Sequence, residues 1–111
     1  MAEVVLIAKF VAKEGSLAEL LDLLAVLAPR VQAEEPGCLR YAVHTVAGGE
    51  EPGTVVMVEA FASTAAYDEH RASATMAEFG PLLAALVDRP VEVTLLEPVA
   101  FGESAKGRVG G

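Results

Sequence analysis

The segment Val4 to Val11, reading VVLIAKFV, is apolar on both of its sides. In an extended chain successive side chains alternate between faces. Val4, Leu6, Ala8 and Phe10 therefore share one face and Val5, Ile7 and Val11 the other, with Lys9 as the single polar break. A strand of this kind has to be covered on both sides. A chain of 111 residues supports one core of ordinary size. Hydrophobic residues make up 53% of it, more apolar surface than such an interior absorbs, so the surplus points to an interface between copies or an apolar pocket.

The rest of the chain supplies partners for that strand. Glu14-Gly15 reads as a turn, and Ser16 lies three residues before Glu19, the spacing of a capping box. Leu17, Leu20, Leu21, Leu24, Leu27 and Val31 follow as one helical stripe. Pro29 is expected to kink the last turns or end the helix early, and Glu34-Glu35-Pro36-Gly37 stops it. Leu39 to Val46 and Thr54 to Phe61 read as strands joined by the glycine-rich loop Ala47 to Gly53. Ser63 is placed to cap a second helix, whose pattern loosens around Ala74-Thr75 and which Gly80-Pro81 suggests is two short pieces, and Val91 to Val99 reads as a last strand.

The order β-α-β-β-α-β predicts an α+β, ferredoxin-like fold: a four-stranded antiparallel sheet with its helices on one face. Residues 1–101 are expected to form one domain, and residues 102–111 a flexible polar C-terminal tail. On the face without helices, Val5, Ile7, Val56 and Val58 do not suit water, so sheet-to-sheet pairing of two subunits is expected there.

A net charge of −8 argues against nucleic acid and against anionic membrane surfaces as partners. The opening run MAEVVLIAKFVAKEG, with acidic and lysine residues inside its apolar stretch, reads as neither signal peptide nor membrane span. The single Cys38 rules out an intrachain disulfide and fits a reducing, cytoplasmic setting.

Several short runs carry a resemblance. They are Ala8-Lys9-Phe10, then Glu35-Pro36-Gly37-Cys38-Leu39-Arg40-Tyr41, then Glu59-Ala60-Phe61, and Ala66 with His70, followed by Phe79. From about Val4 to Val99 the chain resembles the antibiotic-biosynthesis monooxygenase-like domains. That resemblance implies a dimeric α+β barrel with an apolar pocket between sheet and helices in each subunit. It further implies oxidation of a small aromatic substrate, an anthrone or quinol, by molecular oxygen with no metal or flavin cofactor. Other branches degrade heme, or isomerise or break down a small signalling sugar derivative. Where the heme-degrading branch has asparagine, tryptophan and a later histidine, this chain has Ala8, His70 and Gly80. Thr75 stands where the signal-processing branch often has a second histidine. Both departures point away from those activities.

Oxygenation without a cofactor needs a base, a dry cavity and some stabilisation of an anion. His70 is the candidate base, since imidazole titrates near neutral pH; the alternative is a half-exposed helical histidine with a carboxylate or water partner. Glu59 is a carboxylate on an otherwise apolar strand. If Val46 pairs with Thr54, Tyr41 lies opposite Glu59 on the same face, where the two are placed to share a hydrogen bond and support His70, or to form a structural pair. Phe10, Phe61, Tyr67, Met76 and Phe79 are the candidate pocket lining, and each also suits an ordinary core.

The same register puts His44 on the opposite face, so the two histidines do not converge on a metal. Acidic neighbours disfavour Cys38 as a nucleophile. The competing readings are a non-catalytic ligand-binding or stress-associated barrel of the same shape, and an isomerase or degrading enzyme for a small oxygenated metabolite.

Overall fold

A computed structural model describes residues 2–49 and 51–110; Met1, Gly111 and Glu50 of the hairpin loop lie outside the described residues. The chain forms β1 (Val4–Val11), α1 (Leu17–Glu34), β2 (Cys38–Thr45), β3 (Thr54–Phe61), α2 (Thr64–Arg71), α3 (Ala74–Ala84), β4 (Glu92–Leu96) and α4 (Ser104–Gly107). All strand pairs are antiparallel, in the order β2-β3-β1-β4. This is the ferredoxin-like arrangement that the element order predicts. No helix among the described residues is long and apolar enough to cross a membrane.

The alternation in β1 and β3 builds the core. Leu6, Ala8 and Phe10 on β1 and Val55, Met57 and Phe61 on β3 meet Leu20, Leu24, Leu27 and Val31 of α1. All are buried, and removing one large member typically costs about 2–5 kcal/mol. The register aligns Tyr41 with Glu59 and His44 with Val56. A shift between Cys38 and Arg40 inserts one extra residue in β2, a bulge ahead of Tyr41.

Four local expectations are corrected. Ser16 stands at the start of α1, but its side chain makes no capping hydrogen bond. With φ −104° and ψ 0° it lacks the extended backbone that aims a capping hydroxyl at the helix, because its N–H closes a turn onto the Lys13 carbonyl around Gly15. Second, of the two effects expected of Pro29, an early end does not occur: α1 runs on to Glu34, where the Glu34-Glu35-Pro36-Gly37 stop is expected. Proline removes only its own bond to the carbonyl four residues back, and Pro29 and Ala25 both face solvent, where water serves that carbonyl.

Third, the helical break falls at Ala72–Ser73 and not at Gly80-Pro81. Ser73 accepts from the Met76 N–H to start a new helix, and Pro81 sits inside it. Ser63 caps α2 as expected, accepting from Ala66 N–H at 3.1 Å. Fourth, β4 is shorter than Val91 to Val99: Leu96 pairs with Val5, after which β1 is nearly exhausted and Pro98 offers no N–H.

The face opposite the helices carries Ile7, Val56 and Val58, all half-buried. Val5 and Ala60 share that face yet are 4% and 0% exposed. Residues 102–110, expected as a tail, turn through α4 and return to this end of the sheet, where Arg108 meets Glu3 and Arg40 meets the Val109 carbonyl.

Candidate active site

Two polar groups reach the helix side from the sheet. Tyr41 and Glu59 sit directly opposite one another, 4% and 6% exposed. No hydrogen bond joins them among the described residues; the Tyr41 carbonyl instead accepts from Gln32. Burial, with the Glu35 charge adding to it, raises the Glu59 carboxyl to about 7. Burial, then the charges of Glu59 and Glu35, push the Tyr41 phenol far above its ordinary value. Tyr41 thus keeps its proton throughout the neutral range, and Glu59 keeps its own up to about pH 7.

His70 comes from the last turn of α2 and is 5% exposed. Its Nδ1 lies 2.8 Å from Oε1 of Glu35. An ionised carboxylate only accepts, so Nδ1 is the donor of that bond, and in the neutral ring the lone pair is then on Nε2. The ring is also held between Tyr41, edge-on with centroids 5.4 Å apart, and Phe61, tilted at 5.0 Å. Oε2 of Glu35 is buried without a partner among the described residues, which leaves His70 as the hydrogen-bond partner of that carboxylate there.

Local packing explains how residues 35 positions apart meet. Glu35 closes α1, with its N–H on the Val31 carbonyl at 3.0 Å. The turn that follows lies directly on α2: a Cβ added at Gly37 would fall 2.6 Å from the Ala66 Cβ. His70 is one helical turn beyond Ala66, so this contact brings Glu35 alongside it. Thr75 donates to Glu34 at 3.0 Å and Arg30 reaches Glu78 at 3.3 Å, tying α3 to the end of α1.

His70, Tyr41 and Glu59 open onto one cavity of about 290 Å³ between the sheet and α2–α3. That volume lies near the bottom of the range of about 300–1,000 Å³ usual for small-molecule sites, which is room for a compact ring system. Of the five expected lining residues, Phe10, Tyr67 and Met76 face the cavity. Phe61 and Phe79 are packed in the core instead, Phe61 against Tyr67 and His70 and Phe79 beneath the Arg30 guanidinium. Val91 and Val93 form part of the rim, and Arg71 is the only cation lining it among the described residues. The Arg71 guanidinium lies 4.8 Å from the Tyr67 ring centroid and pairs with Asp68 at 2.6 Å.

The profile of the family described as antibiotic biosynthesis monooxygenase matches residues 3–81. This chain belongs to that family. The matched stretch contains Glu35, Tyr41, Glu59 and His70 and ends before the Val91–Val93 rim. Within the wider family, the chain is 33% identical over 96 residues to Rv0793 of Mycobacterium tuberculosis, provisionally named a monooxygenase, covering 86% of this chain and 91% of that one. The solved structure of Rv0793 superposes with a TM-score of 0.81 at 30% identity, covering 92% of this chain and all of the other. A structure from Caulobacter crescentus, provisionally named an antibiotic biosynthesis monooxygenase, matches at TM-score 0.81 and 25% identity over 89% of this chain and 92% of its own.

Two site residues escaped the sequence reading. Glu35 was legible only as part of the Glu35-Pro36-Gly37 motif; an acid at a helix end beside a turn glycine was the available signal. Arg71 follows the candidate base directly and carried no distinguishing pattern. His44 lies exposed on the far face, opposite Val56, and among the described residues no cluster of three metal-ligating side chains forms. Burial and the Glu35 charge raise the Cys38 thiol to about 11, which leaves it a poor nucleophile.

Proposed function

We propose that this family member is a monooxygenase that converts a small anthrone- or quinol-like aromatic with molecular oxygen alone. The observation that carries this reading is the His70–Glu35 pair, a base with its tautomer set by a carboxylate, opening onto an apolar cavity. For a substrate CH₂ beside an aromatic ketone, His70 Nε2 takes the first C–H proton. The carbanion gives one electron to dioxygen, the radical pair recombines to a C–O bond, and protonation yields a hydroperoxide. Loss of the second C–H proton breaks the O–O bond, leaving C=O and water. The carbon loses four electrons and dioxygen accepts four, so no external reductant enters.

Tyr41 and protonated Glu59 act as hydrogen-bond donors to the enolate oxygen while negative charge develops there. Glu35 holds and stabilises the imidazolium formed at His70. The apolar lining keeps water from the carbanion. A second copy of the chain over the sheet face that carries Ile7, Val56 and Val58 completes the assembly.

The test is oxygen uptake in chelator-treated, flavin-free buffer against anthrones, hydroquinones and catechols, comparing the wild type with His70→Ala. Uptake above the uncatalysed rate that vanishes in the variant supports the proposal. Equal uptake in both proteins removes His70 as the base, and no uptake in either transfers the cavity to the non-catalytic binding reading.

A further inference from the structure

One end of the sheet face opposite the helices is already covered by the chain itself. Val5 pairs with Ala60 and Ala60 with Arg40, so these three residues share that face, as does Glu3 two places before Val5. Arg108 donates to Oε1 of Glu3 through Nη2 at 3.0 Å and Nε at 3.2 Å. Arg40 Nε donates to the Val109 carbonyl at 2.9 Å. Gly110 backs onto the Glu3 carboxylate, whose side chain is only 8% exposed. Residues 108–110 therefore lie across β1, β3 and β2 as a strap. At this end Val5 and Ala60 are buried, while Ile7, Val56 and Val58, further along the same face, are half-buried.

The connection back to the sheet is loose. From Glu97 to Arg108 every residue is exposed, Val99 by 60% and Phe101 by 81%. The eleven residues 97–107 span up to about 36 Å when extended, at about 3.3 Å each, and the molecule measures 41 × 33 × 20 Å. The strap is long enough to swing clear of the face it covers.

We propose that this C-terminal strap competes with a second copy of the chain for the sheet face and must lift from Glu3 and Arg40 before two sheets close on each other. The inference rests on the face-to-face dimer of the preceding section. Two facing sheets pack about 10 Å apart with their side chains interdigitated, which leaves no layer for an intervening chain. A stable interface needs about 800 Å² from each partner, and Val5 and Ala60 are apolar members of the same face as Ile7, Val56 and Val58. One ion pair, exposed on its Arg108 side, and one exposed hydrogen bond hold the strap, few enough contacts to be exchanged for the interface.

The experiment is sedimentation equilibrium on the full chain, on a chain ending at Phe101, and on Arg108→Glu, an exposed substitution that leaves the core untouched. The two variants dimerise more tightly than the full chain, by about 2- to 25-fold, since neither of the two protomers has an Arg108–Glu3 pair to give up on association. Molar salt narrows the gap by screening Arg108–Glu3. In parallel, trypsin cleavage after Lys106 and Arg108 accelerates as protein concentration passes the dimer midpoint. Equal dissociation constants in all three proteins overturn the strap and leave the dimer standing. Weaker association on truncation also overturns it, making the strap part of the interface. Monomers throughout, at every concentration, overturn the dimer and the strap together.

Discussion

Gly37 and Ala66 touch so closely that a Cβ on the glycine would lie 2.6 Å from the alanine Cβ. Neither residue bears chemistry, yet their contact sets the distance between Glu35 and His70. Gly37→Ala forces the turn after α1 away from α2, with the overpacking cost of about 1–3 kcal/mol typical of a crowded core. The expected result is a lower urea midpoint together with lost activity. Adding Ala66→Gly restores both, because it reopens the space; urea titration and oxygen uptake on the single and double variants check this.

The hydrogen bond from His70 to Glu35 gives an ordered series. His70→Ala removes the base and lowers kcat by about 10²–10⁴-fold. Glu35→Ala removes the acceptor that orients the ring and the charge that stabilises the imidazolium. Glu35→Gln keeps an oxygen to accept from Nδ1 and loses only the charge. Activity is expected to fall in the order wild type, Glu35→Gln, Glu35→Ala, His70→Ala. A Glu35→Gln protein no better than Glu35→Ala would refute the orienting role.

Glu59 ties stability to pH. Its carboxyl rises from 4.5 to about 7 on folding, mainly through burial. A raised acid contributes stability that is complete below pH 4.5 and is lost as pH climbs through 7, after which the loss is constant. The loss amounts to roughly 3 kcal/mol. Glu59→Gln removes that pH dependence, so its stability relative to wild type increases between pH 4.5 and 7 and levels off above. Chemical denaturation of both proteins at several pH values measures the difference. If protonated Glu59 donates to the substrate oxygen, wild-type kcat also declines above about pH 7, and Glu59→Gln flattens that limb.

Ala8 lines the cavity from β1 and is 4% exposed. Ala8→Phe projects a ring into the space of about 290 Å³ without touching His70, Tyr41 or Glu59 chemically. Turnover is expected to be lost or KM to rise at least tenfold while the thermal midpoint stays within a few degrees of wild type. Unchanged kinetics would place the reaction elsewhere on the molecule.

What the sequence made legible is what local spacing dictates. The two-sided apolar run of β1 demanded cover on both faces, and a hairpin that pairs Val46 with Thr54 puts Tyr41 opposite Glu59, the register the sheet adopts. Ser63 announced the start of α2. The partner of His70 was not legible, because it depends on how closely two backbones approach at Gly37 and Ala66, a tertiary fact that spacing does not carry. The same holds for Phe61 and Phe79: periodicity places an aromatic on the inner face but does not say whether it lines a cavity or fills the core behind it. The end of β4 is not legible in its composition, because a strand lasts only as long as its neighbour.

The bulge between Cys38 and Arg40 decides which side chain confronts Phe61. Counted on from Tyr41 opposite Glu59, a regular ladder would bring Leu39 opposite Phe61 and turn Cys38 outward, since a one-residue slip exchanges the two faces of a strand. The extra residue instead leaves Leu39 exposed and packs Cys38 against the core. Removing residue 39 would heal the ladder and keep Tyr41 opposite Glu59, so length variation there alters the span from the sheet to the Glu35 turn while the polar pair on the sheet stays in place.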